Sequence, residues 1–272
     1  MVSWTVLILQ PPGSDGCRTL KPVQQEQKMN PISDGIRILE GSADVLVVAP
    51  HSPIINGVHE NDIRTGLIAE QIHQQLGCTA IINHRFFKPK GEIKKNAENY
   101  FLDLYRVDHA REVPGYIEAI RDVVTRDKKT FVFWIHGIFT HFSLARAKEH
   151  MDLNLFDGPP EALHALIAFG QGGDPKAGDD KDSFTARKQT AKTFQTHLSR
   201  QGMTTLITHP ACNNYRGRDV KRFNQWFLLQ GFGFDRVESI QLEIKEAGFR
   251  DSRQNAMKTA AIIARAIKNL TL

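Results

Sequence analysis

The sequence predicts an α/β protein in which helices cover both faces of one central sheet. Three observations lead there. Short, continuous apolar runs such as "DVLVVAP" (44–50) and "TFVFWIHG" (130–137) suit strands buried on both faces. Between such runs lie stretches with apolar residues at helical spacing, as in "DIRTGLIAEQIHQQLG" (62–77). The two kinds alternate along the chain, and that alternation implies a layered domain.

The elements follow in order. Residues 1–40 turn polar and irregular after an apolar start, and Pro11, Pro12, Gly13 and Gly16 break any periodicity. They read as an extension, with one domain over 41–272. After the strand at 44–50 comes the helix at 62–77, stopped by Gly77, and then a strand over "TAIINHRF". Residues 88–98 are basic and loop-like. A helix is expected across "VPGYIEAIRDVVTRD", followed by the strand at 130–137. "ALHALIAFGQ" predicts another strand, and "GGDPKAGDDKD" after it has the composition of a loop. A helix near 185–200 leads to the strand "MTTLITHP". The last strand is "ESIQLEI" (238–244), and "SRQNAMKTAAIIARAIKNL" closes the chain as an amphipathic helix.

Composition narrows the function classes. A chain of 272 residues can bury a substantial core. Its net charge of +5 suits an anionic small substrate as well as nucleic acid. No aromatic-plus-basic module is visible, so the sequence points away from nucleic acid. Cys17, Cys78 and Cys212 are odd in number and form no CxxC pair, which argues for a reducing, cytoplasmic setting. The opening "VSWTVLILQPPG" is too short to span a membrane and lacks a basic leader.

In open α/β sheets ligands gather at the carboxyl ends of the strands. Three predicted strands carry chemically capable residues there: His51 after "VVAP", His136 in "FWIHG" and Glu243 in "IQLEI". Asp62 or Glu60, at the start of the first helix, would lie beside His51. Two histidines and a carboxylate are the ligand set of a catalytic zinc site with an open fourth position. Glu243 is then available as the base that takes a proton from water. Each residue also has a plainer explanation. A histidine can bond a backbone carbonyl, and acids favour helix amino termini. Glu243 resists such treatment, because a carboxylate in a central strand is expensive to bury without a partner.

Taken together and in order, "VVAPHS", "ENDIRTG", "FLDLYR", "WIHG" and "IQLEIKEAGF" resemble the N-formylglutamate amidohydrolase family. That family is a branch of the zinc-carboxypeptidase and aspartoacylase-like hydrolases, and the resemblance spans roughly 44–270. It implies a three-layer α/β/α fold with a mixed central sheet and one zinc ion per chain. His51 and His136 match the histidine ligands, and Asp62 matches the acidic ligand best, with Glu60 as the other choice. Glu243 falls on the catalytic glutamate. "DLYR" resembles the family's "DLNR", so Arg106 inherits the grip on a substrate carboxylate and Asp103 its orientation. A guanidinium fork suits that task, since it offers bidentate, charge-assisted bonds. Arg85, and Arg216 or Arg222 further on, are additional candidates for the pocket.

Two departures bear on the substrate. Tyr105 stands where the family has asparagine, which replaces one polar substrate contact. Glu246 puts an acid where an arginine is usual. The resemblance therefore implies a zinc amidohydrolase for a small carboxylate-bearing acyl-amino acid or peptide, without specifying N-formylglutamate. Two further readings stand beside it: a hydrolase of γ-linked peptides, and a degenerate member that binds an anionic metabolite or peptide without cleaving it.

Overall fold

The computed structural model describes residues 35–55, 58–59, 62–89, 94–138, 162–170, 184–207, 223, 226–227 and 230–271. Seven strands form the main sheet: β1 (Ile36–Leu39), β2 (Ala43–Ala49), β5 (Cys78–Asn83), β6 (Thr130–Ile138), β7 (Ala165–Ala168), β8 (Thr205–Ile207) and β9 (Val237–Lys245). Two-residue strands β3 (Ile54–Ile55) and β4 (Val58–His59) pair with each other between His51 and Asp62. The helices are α1 (Thr65–Leu76), α2 (Val107–Ala110), α3 (Tyr116–Val124), α4 (Lys188–Arg200) and α5 (Arg253–Thr271). No helix among the described residues is long and apolar enough to cross a membrane.

The sheet order is β1-β5-β2-β6-β9-β7-β8. Strands β5, β2, β6 and β9 run parallel, whereas β1 and β7 pair antiparallel with β5 and β9. This is the mixed sheet that the sequence resemblance implies. The sheet begins at Ile36, so residues 36–39 of the irregular amino-terminal segment supply an edge strand.

Side-chain alternation divides the core into two layers. Val45, Val47 and Ala49 of β2 face α1, α4 and α5, together with Ile240, Leu242 and Ile244 of β9. Leu46 and Val48 face α3, which presents Ile117, Ile120 and Val123 at helical spacing. Helices thus cover both faces, as the near-continuous apolar strands require.

On the α3 face lies Trp134, with no exposure to solvent. Its ring stacks on Phe223 at 5.3 Å, and its Nε1 donates to Ser239 Oγ at 3.0 Å. Trp134→Ala is expected to cost about 3–5 kcal/mol of stability, read from urea unfolding, because it opens a cavity behind β6 and removes the bond to Ser239. A loss below about 1 kcal/mol would show that this layer collapses around the gap.

Element boundaries moved where local chemistry overrides periodicity. Helix α1 starts at Thr65 because Arg64 adopts a left-handed backbone, φ 64°, which turns the chain between Asp62 and the helix. Gly77 ends it as expected, in the left-handed conformation at φ 63°, with its N–H bonded to His73 O. The strand over "TAIINHRF" stops at Asn83, whose side chain bonds the backbone of Arg85 and Phe86 as a turn.

The connections place the site. From β2 the chain passes through α1 to β5 on one side, and from β5 through α3 to β6 on the other. The strand order reverses at β2, so a crevice opens at the carboxyl ends of β2 and β6.

Candidate metal centre

His51 stands two residues beyond β2, and Asn83 holds that chain end in place. The Asn83 amide donates to Pro50 O at 2.6 Å, and Ser52 Oγ donates to Asn83 O. His136 lies within β6, on the α3 face with Trp134. Asp62 occupies the turn before α1, where Thr65 Oγ1 donates to its backbone carbonyl. All three are buried, at 7, 4 and 6% exposure for His51, His136 and Asp62.

Their donor atoms converge. One nitrogen of each histidine and a carboxylate oxygen lie within 4.8 Å of one another. Asp62 Oδ2 is 3.4 Å from His51 Nδ1 and 3.1 Å from His136 Nδ1. On the far side of the ring, His51 Nε2 meets Asp103 Oδ1 at 2.7 Å. A carboxylate on one imidazole nitrogen holds the proton there and leaves the other nitrogen's lone pair for a metal.

The electrostatics also call for a cation between these groups. Burial disfavours charge on His51, but Asp103 and Asp62 outweigh it and raise its pKa to about 9. Burial likewise disfavours the Asp62 carboxylate, yet its bonds to His136 and His51 hold its pKa well below the usual range. Burial pushes His136 down to about 4. Without a metal, a proton on His51 supplies the positive charge that the carboxylate needs. His136 Nε2 stays buried with no hydrogen-bond partner among the described residues. Two imidazoles, one carboxylate and a supporting carboxylate fit a zinc ion with an open position.

Glu243 is the direct neighbour of His136 across the paired strands β6 and β9. Burial, followed by the Asp62 charge, raises its pKa to about 8. Its carboxylate accepts a hydrogen bond from the Gln241 amide, whose oxygen accepts one from Tyr105 OH at 2.8 Å. Contrast Glu238, five residues earlier in the same strand and fully buried: Lys129 and Arg187 both pair with it. No described basic side chain forms an ion pair with Glu243. The Glu238 cluster ties the far end of the sheet together, whereas Glu243 keeps its carboxylate at the crevice.

The remaining candidates occupy distinct positions. The Arg106 guanidinium is held by Asp108, at 3.0 and 2.8 Å. The Asp103 carboxylate, expected to orient Arg106, bonds His51 and the Tyr105 N–H. Tyr105 is buried at 4% exposure, its ring 4.6 Å from that of His136 and its hydroxyl on Gln241. Arg85 lies over the Tyr100 ring, 3.9 Å from its centroid. Glu60, Arg216 and Arg222 lie outside the described residues.

Sequence reasoning missed Asn83, the link through Gln241, and the buried Arg250. Gln241 left a trace, because "ESIQLEI" places Ser239, Gln241 and Glu243 two apart on one face of a buried strand.

No family model matches the chain, and no match was found among curated proteins. Solved structures do share its fold. An Agrobacterium tumefaciens gene product is 12% identical, with a TM-score of 0.53 over 88% of this chain and 95% of that one. N-formylglutamate amidohydrolase from Ralstonia eutropha is 13% identical, with a TM-score of 0.50 over 88% and 96%. The architecture is therefore the one the sequence resemblance implies, and at such identities the likeness is one of fold.

Proposed function

We propose that this protein is a zinc-dependent amidohydrolase that cleaves an amide in a small carboxylate-bearing substrate, such as an N-acyl amino acid or a γ-linked peptide. The observation that carries the reading is the pairing of Glu243 with His136 on adjacent strands, beside a His–Asp–His cluster supported by Asp103. A zinc ion held by His51, Asp62 and His136 would supply Lewis acidity, polarising a carbonyl and acidifying water.

The chain's own residues account for the remaining steps. Glu243 takes a proton from the attacking water and returns it to the leaving amine, with Gln241 and Tyr105 aiming its carboxylate. Part of what raises its pKa is the charge of Asp62, which a dication would offset. Asp103 keeps the His51 ring oriented and its outer nitrogen protonated.

The basic lining of one cavity supports an anionic substrate. A cavity of about 280 Å³ is lined by Lys88, Pro89, Lys95, Asp103, Arg106 and His109. One of its lining side chains, Asp103, bonds His51 Nε2 at 2.7 Å, which ties the cavity wall to a candidate metal ligand. Arg106→Ala is expected to raise KM for an acyl-amino acid by about tenfold or more, with less effect on kcat, because a charge-assisted bond worth about 1.5–3 kcal/mol is lost. Steady-state kinetics on a panel of N-acyl amino acids measures this, and an unchanged KM would remove Arg106 from substrate binding.

A further inference from the structure

Arg250 is fully buried in the turn between β9 and α5, and among the described residues only Trp134 is a larger fully buried side chain. A buried guanidinium must bond its surroundings well, and this one does so through backbone carbonyls. Nε donates to Ile244 O at 2.9 Å, Nη2 to Ile138 O at 2.8 Å and Nη1 to Ile63 O at 2.9 Å. Those acceptors are not scattered. Ile244 follows Glu243, Ile138 is two residues beyond His136, and Ile63 follows Asp62.

The attachment is reciprocal at the acidic ligand. Arg64 Nη1 donates to Arg250 O at 3.0 Å, so the Asp62–Arg64 turn and the Arg250 turn bond each other in both directions. Arg64 is also a left-handed non-glycine residue, a conformation that persists only when its surroundings hold it. Gly137, between His136 and Ile138, gives the guanidinium its space. A Cβ there would sit 2.4 Å from the guanidinium carbon.

We infer that Arg250 is a positioning residue for the metal centre, setting the separation between the Asp62 turn and the ends of β6 and β9. It rests on the reading of His51, Asp62 and His136 as metal ligands. The planar fork spans three carbonyls from three chain segments at once, which a lysine ammonium on a flexible stem cannot reproduce. Sub-ångström placement of Asp62 against the two histidines then depends on a side chain that bonds the backbone beside the ligands rather than the ligands themselves.

The test is metal binding by the chelator-stripped full chain, for wild type, Arg250→Lys, Arg250→Met and Gly137→Ala. Calorimetry reads zinc affinity, and visible absorption of the cobalt-loaded protein reads ligand geometry. Circular dichroism checks folding, and Glu238→Gln, at the far end of the sheet, serves as a control that loses stability without losing affinity. Arg250→Met and Gly137→Ala are expected to bind zinc ~10–100-fold more weakly, with altered cobalt bands. Arg250→Lys retains the charge but is also expected to weaken binding by roughly tenfold. Should Arg250→Met fail to fold, the lysine and Gly137→Ala variants decide. Folded variants with wild-type affinity and cobalt spectrum would overturn the positioning role. A wild type that binds neither metal would overturn the metal reading and this inference with it, a result distinguishable from the first.

Discussion

Purified without chelator, the protein is expected to carry about one zinc per chain, and a His51→Ala/His136→Ala variant none. Elemental analysis reads both. The expectation follows from the crowding of Asp62 Oδ2 against two imidazole nitrogens, at 3.4 and 3.1 Å. Such a group is held together by a positive charge, and removing both rings takes away the partners that the Asp62 carboxylate has among the described residues. Because Asp103 occupies His51 Nε2 at 2.7 Å, Asp103→Asn is expected to weaken zinc less, by ~10–100-fold. A wild-type protein that takes up no metal even after incubation with zinc would make the histidines structural. The binding-protein reading would then replace the hydrolase.

Glu243→Gln is expected to abolish turnover of any amide substrate found, by ~10²–10⁴-fold or more, while zinc content and fold stay unchanged. The substitution keeps the size of the side chain and a partner for Gln241, but removes the group that accepts and returns a proton. Single-turnover kinetics beside elemental analysis separates the two properties. Wild-type activity in the Glu243→Gln variant would refute the role of Glu243 as base. Metal retained with no hydrolysis by the wild type across the acyl-amino acid and γ-linked peptide panel would instead support a binding protein.

These two predictions draw on different kinds of legibility. His51, His136 and Glu243 were legible as candidates because apolar runs mark the strands: His51 follows the run of β2, and His136 and Glu243 lie near the carboxyl ends of β6 and β9. Asp62 was readable as a helix-start acid, though only the left-handed turn at Arg64 shows how it reaches the histidines. Asp103 was legible as a site residue through "DLYR", which resembles a motif whose acid orients the arginine, but its bond to His51 was not: nothing in the one-dimensional pattern indicates that His51, beyond β2, lies within 2.7 Å of it. Asn83 was silent, and Gln241 showed only its place on the Glu243 face of the strand, since the importance of both lies in which backbone or side chain they meet in the fold.

What the sequence determined by itself is periodicity and its consequences: strands with apolar residues on both faces, helices with one apolar stripe, and hence a layered α/β domain with candidate ligands at strand ends. Tertiary structure alone decided strand order and register, because neighbours in the sheet are distant in the chain and each choice is made by packing and hydrogen bonding. It set His136 beside Glu243, closed Asp62 onto both histidines, and brought Arg250 beneath all three segments. Hydrophobic alternation is a local property that any window of sequence displays. The convergence of buried charges is a non-local one, settled when burial forces each of them to find a partner.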